Sequence, residues 1–306
     1  MPDKPLSGIC LALLTALASN RSCRTLVHAW SAISCTLVLA AIGGLIVFLL
    51  SQSLPVFNAR LFFGDTPIPA AILGQAPVWD GIFAACAGTL ALVVLASLMA
   101  IPAGIGAGVA LTQYLRGRLG TMLRFSANIL AGVPSIVMGL FGFSLIIFLR
   151  HTVAPEANTG LLLSAFCLAL LILPYTINAT AQSLETLPEE LRLLGPSLGM
   201  TGLQSLRHIL LPAASRGILG GVVLSMGRAA EDTAVILLTG VVAQGGLPRG
   251  LLDKFEALPF TIYYLAAQYQ SADDLRKGFG AALTLLALTV LLYGGARMLR
   301  VGLEST

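Results

Sequence analysis

Apolar runs long enough to cross a lipid bilayer alternate along this chain with short polar connections. A bilayer core about 30 Å thick takes a helix of around 20 apolar residues. Ala29–Leu50, Ile82–Ala110, Ala127–Leu149, Leu161–Ala181 and Gly278–Ala296 each supply such a run with no internal charge. A sixth run, Arg216–Gly240, is as apolar at both ends but carries Arg228, Glu231 and Asp232 in its middle. The pattern predicts an all-α integral membrane protein of about six transmembrane helices.

The connections divide the chain. Residues 1–28 read as a cytoplasmic N-terminal segment, 29–50 as the first transmembrane helix, 51–81 as an external loop and 82–300 as the core transmembrane domain. Within the first of these, Leu6–Ser19 is apolar but too short to span, and the arginines that follow it sit on the wrong side for a cleaved signal; a helix lying at the inner interface is expected. Pro55, Pro67, Pro69 and Pro77 make 51–81 an irregular loop or a set of short re-entrant pieces. Small residues recur at helical spacing on two spans, Ala131, Ser135 and Gly139 on one and Gly217, Gly221, Ser225, Ala229 and Thr233 on another, which marks faces for close helix approach. Pro102, Pro134 and Pro174 are candidate kinks.

Composition agrees with a lipid solvent: 57% of the 306 residues are apolar and 10% charged, against roughly 25% charged in soluble domains. The net charge of +4 matters less than its placement. One side receives Lys4, Arg21, Arg24, Arg116, Arg118, Arg124, Arg192, Arg207, Arg216, Arg297 and Arg300; the other receives Arg60, Arg150, Arg249, Lys254, Arg276 and Lys277. The richer side is the cytoplasm by the positive-inside rule, which places both termini there in a multi-pass protein of the cytoplasmic (inner) membrane. No basic run reads as a nucleic-acid patch, so lipid and no nucleic acid is expected as surroundings. The five cysteines imply no disulfide framework, and no Cys or His spacing suits a metal. A phosphate-cradling Gly-Lys pair is absent and no catalytic constellation occurs, so no catalytic residue, metal or cofactor is assigned to this chain and it is not read as an enzyme.

Two segments carry the functional reading. The first is the polar connection 182–215. Pro188 ahead of Glu189 and Glu190 suits a helix start, and Gly199 can take the positive φ that ends a helix, so a short helix pair with a break is expected. From Gly199 to Ile209, Leu211 and Pro212 the spacing resembles the cytoplasmic loop of ABC-importer permeases, in which a Glu-Ala-Ala triplet precedes a glycine and, nine residues on, Ile-x-Leu-Pro. Leu193-Leu194-Gly195 replaces the Glu-Ala-Ala here. The resemblance implies a type I ABC-importer permease fold and a loop that docks on an ATPase through Glu190, Gly199, Ile209, Leu211 and Pro212.

The second segment is the charge cluster. In a continuous helix over 216–240, Arg228 lies about 18 Å from either end, near the bilayer midplane, where a guanidinium is costly unless it faces the bundle interior or water. Glu231 and Asp232, three and four residues on, fall on the same helical face. The arrangement reads either as a self-neutralising ion pair or as a cationic centre on an anion pathway, with carboxylates that hold Arg228 until substrate arrives. Gly227-Arg228-Ala229-Ala230-Glu231-Asp232-Thr233-Ala234 is similar to the Arg-Ala-x-Gly-Glu-Thr segment of phosphate-importer permeases. Gly132-Val133-Pro134-Ser135-Ile136-Val137-Met138-Gly139 looks like their proline-serine signature, with Pro134, Ser135 and Gly139 on the translocation path. The resemblance runs from about residue 82 onward and fits the second of the two permeases. It implies inward movement of inorganic phosphate, a second permease subunit, two ABC ATPase subunits that bind the ATP, and an external phosphate-binding protein. Another oxyanion such as sulfate or molybdate, or ion-coupled secondary transport through Arg228, Glu231 and Asp232, are the alternatives.

Overall fold

The computed structural model describes residues 21–72, 78, 81–115, 117–152, 154–248 and 250–304. The interfacial helix expected at 6–19 lies outside them. The chain divides into two units, Met1–Gln52 and Ser53–Thr306. In the first, α1 (Arg21–Ser53) carries no Asp, Glu, Lys or Arg after Arg24, and Trp30, Leu37 and Leu45 stand exposed along it. A helix satisfies its own backbone, so such side chains are at home in hydrocarbon.

The second unit begins with a single 3₁₀ turn (Leu54–Val56) and two short helices, α2 (Ala59–Phe63) and α3 (Ile68–Ile72), within the proline-rich stretch. Next come α4 (Phe83–Val109), which runs on into a π-helical turn (Ala110–Tyr114), α5 (Arg118–Ala131), α6 (Ser135–Thr152) and α7 (Leu161–Glu185). The polar connection holds α8 (Glu189–Ser197) and α9 (Gly202–Ser205), the latter widening into a π turn (Leu206–Leu210) that feeds α10 (Leu211–Glu231). The chain then forms α11 (Ala234–Thr239), α12 (Leu258–Ala267) and α13 (Ala272–Glu304). Among the described residues, six helices are long and apolar enough to cross a membrane.

Two of the expected spans are not single helices. The run Ala127–Leu149 is cut after Ala131, because Pro134 has no N–H to continue a helix and disfavours helical geometry at Val133; α6 starts at Ser135. Ala131 and Ser135 therefore belong to different helices and do not form one packing face with Gly139, and Pro134 precedes a helix rather than kinking one. The run Arg216–Gly240 is cut at Asp232, whose backbone is extended (φ −74°, ψ 116°). The span expected from Gly278 begins earlier, at Ala272.

At the centre of the larger unit stands α7, packed against α4, α6 and α10 around Leu92, Val93, Leu168, Leu171 and Ile172, all essentially inaccessible. Lipid provides no hydrophobic drive between helices, so close contact through small residues has to hold them. A Cβ on Gly104 or Gly108 would lie 2.6 Å from the Cβ of Thr176 or Thr180 on α7. Gly217 and Gly221 of α10 abut Ser183 and Ala179 in the same way. One turn further, the hydroxyls of Ser225 and Thr176 meet at 3.2 Å. The predicted small-residue stripe of α10 is thus its face toward α7, as far as Ala229; Thr233 lies beyond the helix end. One polar group of this interior serves a helix end: Thr89 of α4 accepts from the Leu258 N–H at 2.9 Å, capping α12, which lacks a side-chain cap of its own.

Candidate functional site

Arg228 lies in the last turn of α10, where the unpaired carbonyls of a helix end favour a cation. Helical geometry stops three residues later because Asp232 turns out of the helix. Its Oδ1 accepts from the Val235 N–H at 2.9 Å and so caps α11. The three expected residues are brought to one cavity without an ion pair: among the described residues, neither Glu231 nor Asp232 lies within ion-pair distance of Arg228. The physical reason is the break itself, which removes Asp232 from the helical register that would stack it on Arg228. Arg228 and Glu231 are exposed and Asp232 is half-buried.

What Arg228 does meet is aromatic. Its Cζ stands 4.7 Å from the ring centroid of Tyr175 on α7. On the neighbouring residue, Gly227, a Cβ would collide with the hydroxyl end of Tyr293 from α13. Tyr175, Leu224, Arg228, Glu231, Asp232 and Tyr293 together line an open cavity of about 430 Å³. Neither tyrosine is visible in the charge pattern: both sit in apolar runs, and an isolated hydroxyl in a span was the one available signal.

The two sequence signatures meet at this place. Gly139 of α6 faces the Ala234 carbonyl of α11, 2.9 Å from where its Cβ would be. The Tyr175 hydroxyl reaches the Ala131 carbonyl at 3.5 Å, on the last residue before the Gly132–Pro134 break. Two interrupted helices thus converge on the same region, with Ser135 half-buried and Pro134 exposed at the start of α6.

The connection between α7 and α10 is a folded unit. Glu189 and Glu190 occupy the first turn of α8, as suits a helix N-terminus. Gly199 takes φ +71°. Around it the Met200 N–H donates to the Gly195 carbonyl and the Gly199 N–H to the Pro196 carbonyl, each at 3.0 Å, the bond pair of a Schellman motif. A capping box between Thr201 and Gln204 starts α9. Gly195, in the place of the family's second alanine, lets α8 lie directly against Ser205. Ile209 and Leu211 pack against a buried cluster of Leu184, Leu206, Leu210, Ala214 and Ile218, while Pro212 is exposed. Leu193, Leu194, Leu198 and Leu203 are 44–67% exposed on the outer surface of the unit. At the same end of the bundle Arg124 of α5 meets Glu185 at 2.6 Å.

Residues 100–300 match the sequence profile of the family described as binding-protein-dependent transport system inner membrane component. The phosphate transport system permease protein PstA 1 of Mycobacterium tuberculosis (strain CDC 1551 / Oshkosh) is 35% identical over 228 residues, 72% of this chain and 70% of that protein. PstA of Haemophilus influenzae is 30% identical over 247 residues, 80% and 83% of the two chains. The phosphate transport system permease protein PstC of Mesorhizobium japonicum is 30% identical over 234 residues, 68% and 69%. Among solved structures, a chain of the inward-facing MetNI methionine ABC transporter superposes with a TM-score of 0.56 at 19% identity, covering 78% of this chain and 99% of that one.

Proposed function

The chain belongs to the family of binding-protein-dependent transport system inner membrane components, and from that premise we propose that it passes inorganic phosphate inward along a path that includes Arg228. It is a multi-pass membrane protein with the fold of an ABC-importer permease. Phosphate as the substrate is supported by the relatives, which are phosphate transport system permeases. The observation that carries the site is the exposed guanidinium of Arg228 in a cavity at the α10–α11 break, held by an aromatic ring rather than by a carboxylate. A guanidinium left unneutralised can give a phosphate oxygen pair two parallel N–H bonds. Glu231 and Asp232 add negative charge around it, which disfavours a second cation and holds the anion's dwell time down.

The partners belong to the same reading: a second permease, two ATPase chains that bind the nucleotide, and an external phosphate-binding protein. The α8–α9 unit is the ATPase contact. Its four exposed leucines form an apolar surface of the kind a protein partner covers, Glu190 lies beside them, and the Schellman turn at Gly199 gives it a fixed shape. The pair Ile209 and Leu211 ties that unit to the base of α10, so a push on the loop reaches the helix that ends at Arg228.

The test is uptake into proteoliposomes holding the permeases, the ATPase and the binding protein. Phosphate uptake should require ATP inside. Arg228→Ala should assemble yet lose most uptake, whereas Gly199→Asp should hydrolyse ATP without matching uptake. Parental uptake by Arg228→Ala sinks the site; ATP-independent uptake sinks the class.

A further inference from the structure

We propose that Tyr175 is the positioning residue that holds the Arg228 guanidinium ready for the anion, an inference that rests on reading Arg228 as the anion contact. A guanidinium inside a membrane needs a partner. A carboxylate would satisfy it but would also cancel its charge and occupy the donors that the anion must use. An aromatic face attracts the cation through its quadrupole and brings no formal charge. It has no lone-pair acceptor in the ring plane facing the cation, so the five N–H donors of the guanidinium are not consumed.

The geometry fits that role. The Cζ of Arg228 is 4.7 Å from the Tyr175 centroid, inside the roughly 6 Å range of effective cation–π contact. Tyr175 is fixed more firmly than Arg228: it is half-buried on α7, the central helix, and its hydroxyl reaches the Ala131 carbonyl on α5. The Tyr293 hydroxyl end crosses Gly227, and Tyr293 lines the same cavity. Of the two carboxylates nearest in sequence, Asp232 is engaged in the cap of α11 and neither lies within ion-pair distance of the guanidinium among the described residues. Among the described residues, the Tyr175 ring is the side chain in direct contact with the guanidinium.

A packing role would depend on the size of residue 175; the proposed role depends on the π density of its ring. The experiment uses the assembled complex in proteoliposomes and reads ATP-driven phosphate uptake, with ATPase activity stimulated by the binding protein as the control for assembly. Tyr175→Phe keeps the ring and should stay near the parental rate. Tyr175→Leu keeps apolar bulk and should lose about 3- to 30-fold, the range that cation–π contacts span, with stimulated ATPase activity retained. Mono-, di- and trifluorophenylalanine at position 175 withdraw π density at nearly constant shape, and uptake should fall stepwise along that series. A flat fluorination series, or parental uptake by Tyr175→Leu, overturns the proposal even while Arg228→Ala is inactive. Parental uptake by Arg228→Ala removes the site reading beneath it, which is a separate and distinguishable failure.

Discussion

An arginine in the last turn of a helix is chemically different from one in the middle. In mid-helix the carbonyls around Arg228 would all be bonded along the axis, and only Glu231 and Asp232 could have answered its charge. At the end of α10, unpaired carbonyls add partial negative charge, and the Tyr175 ring supplies the rest. That frees Asp232 for a structural task, the cap of α11. The consequence is testable by substitution. Asp232→Asn keeps an amide oxygen that can accept from the Val235 N–H, whereas Asp232→Ala leaves that N–H without its partner and should cost about 1 kcal/mol. Thermal unfolding of the detergent-solubilised complex should therefore rank the parent and Asp232→Asn together, with Asp232→Ala below. Equal midpoints for the asparagine and alanine variants would show that the cap does not contribute. The sequence offered Asp232 together with Glu231 as carboxylates beside Arg228, and the cap of α11 adds a structural task to Asp232.

At the scale of elements, the loop between α12 and the preceding break carries a buried acid away from Arg228. Glu256 is 6% exposed, its Oε1 accepts from the Gly246 N–H at 2.7 Å, and it lines an outer-end cavity with Asp274 and Lys277. Burial pushes its carboxyl above the usual glutamate range, partly opposed by hydrogen bonds from Gly246 and Gly245. Between the ordinary value and the raised one the folded loop keeps a proton that the opened loop has lost. Stability of the loop is therefore greatest at low pH and falls as pH rises through that window, then levels off. Hydrogen exchange of the Gly245 and Gly246 amides, corrected for its intrinsic pH dependence, should lose protection across the window in the parent. Glu256→Gln retains an acceptor and does not titrate, so its protection should be level; a parallel decline in both would remove Glu256 as the cause. The segment also shows where sequence reasoning stops. Long apolar runs report the solvent, and six spanning helices follow from them. They do not report backbone continuity, so the breaks at Gly132–Pro134 and Asp232 leave no mark in the apolar pattern. The ten-residue α12 is too short to register as a span. Gly199 was legible because one residue type answers one backbone demand. Tyr175 was not, because its role depends on a partner that only the packing of α7 on α10 supplies.

For the whole molecule, orientation in the membrane decides which end meets the ATPases. In the larger unit Arg118, Arg124, Arg192, Arg207 and Arg216 belong to the α8–α9 end, while Arg60, Arg150, Lys254, Arg276 and Lys277 belong to the opposite end. Those sets are equal at five each, so the positive-inside argument rests on the chain's extremities, where Arg297 and Arg300 follow the last span and Arg21 and Arg24 precede the first. The docking argument is independent of that count. An apolar surface of Leu193, Leu194, Leu198 and Leu203 on a capped, folded connector suits a protein partner, and the ATPases of an importer meet it only in the cytoplasm. Both arguments give the same orientation, and a labelling experiment checks them together. In a background cleared of the five native cysteines, Leu203→Cys should react with an impermeant thiol reagent only in inverted vesicles, and Leu252→Cys, also well exposed, only in intact cells or right-side-out vesicles. Adding the ATPase to inverted vesicles should then protect Leu203→Cys and leave Leu252→Cys unchanged. Labelling of Leu203→Cys from the outer face would reverse the orientation, and would also leave the leucine surface without the partner that explains it.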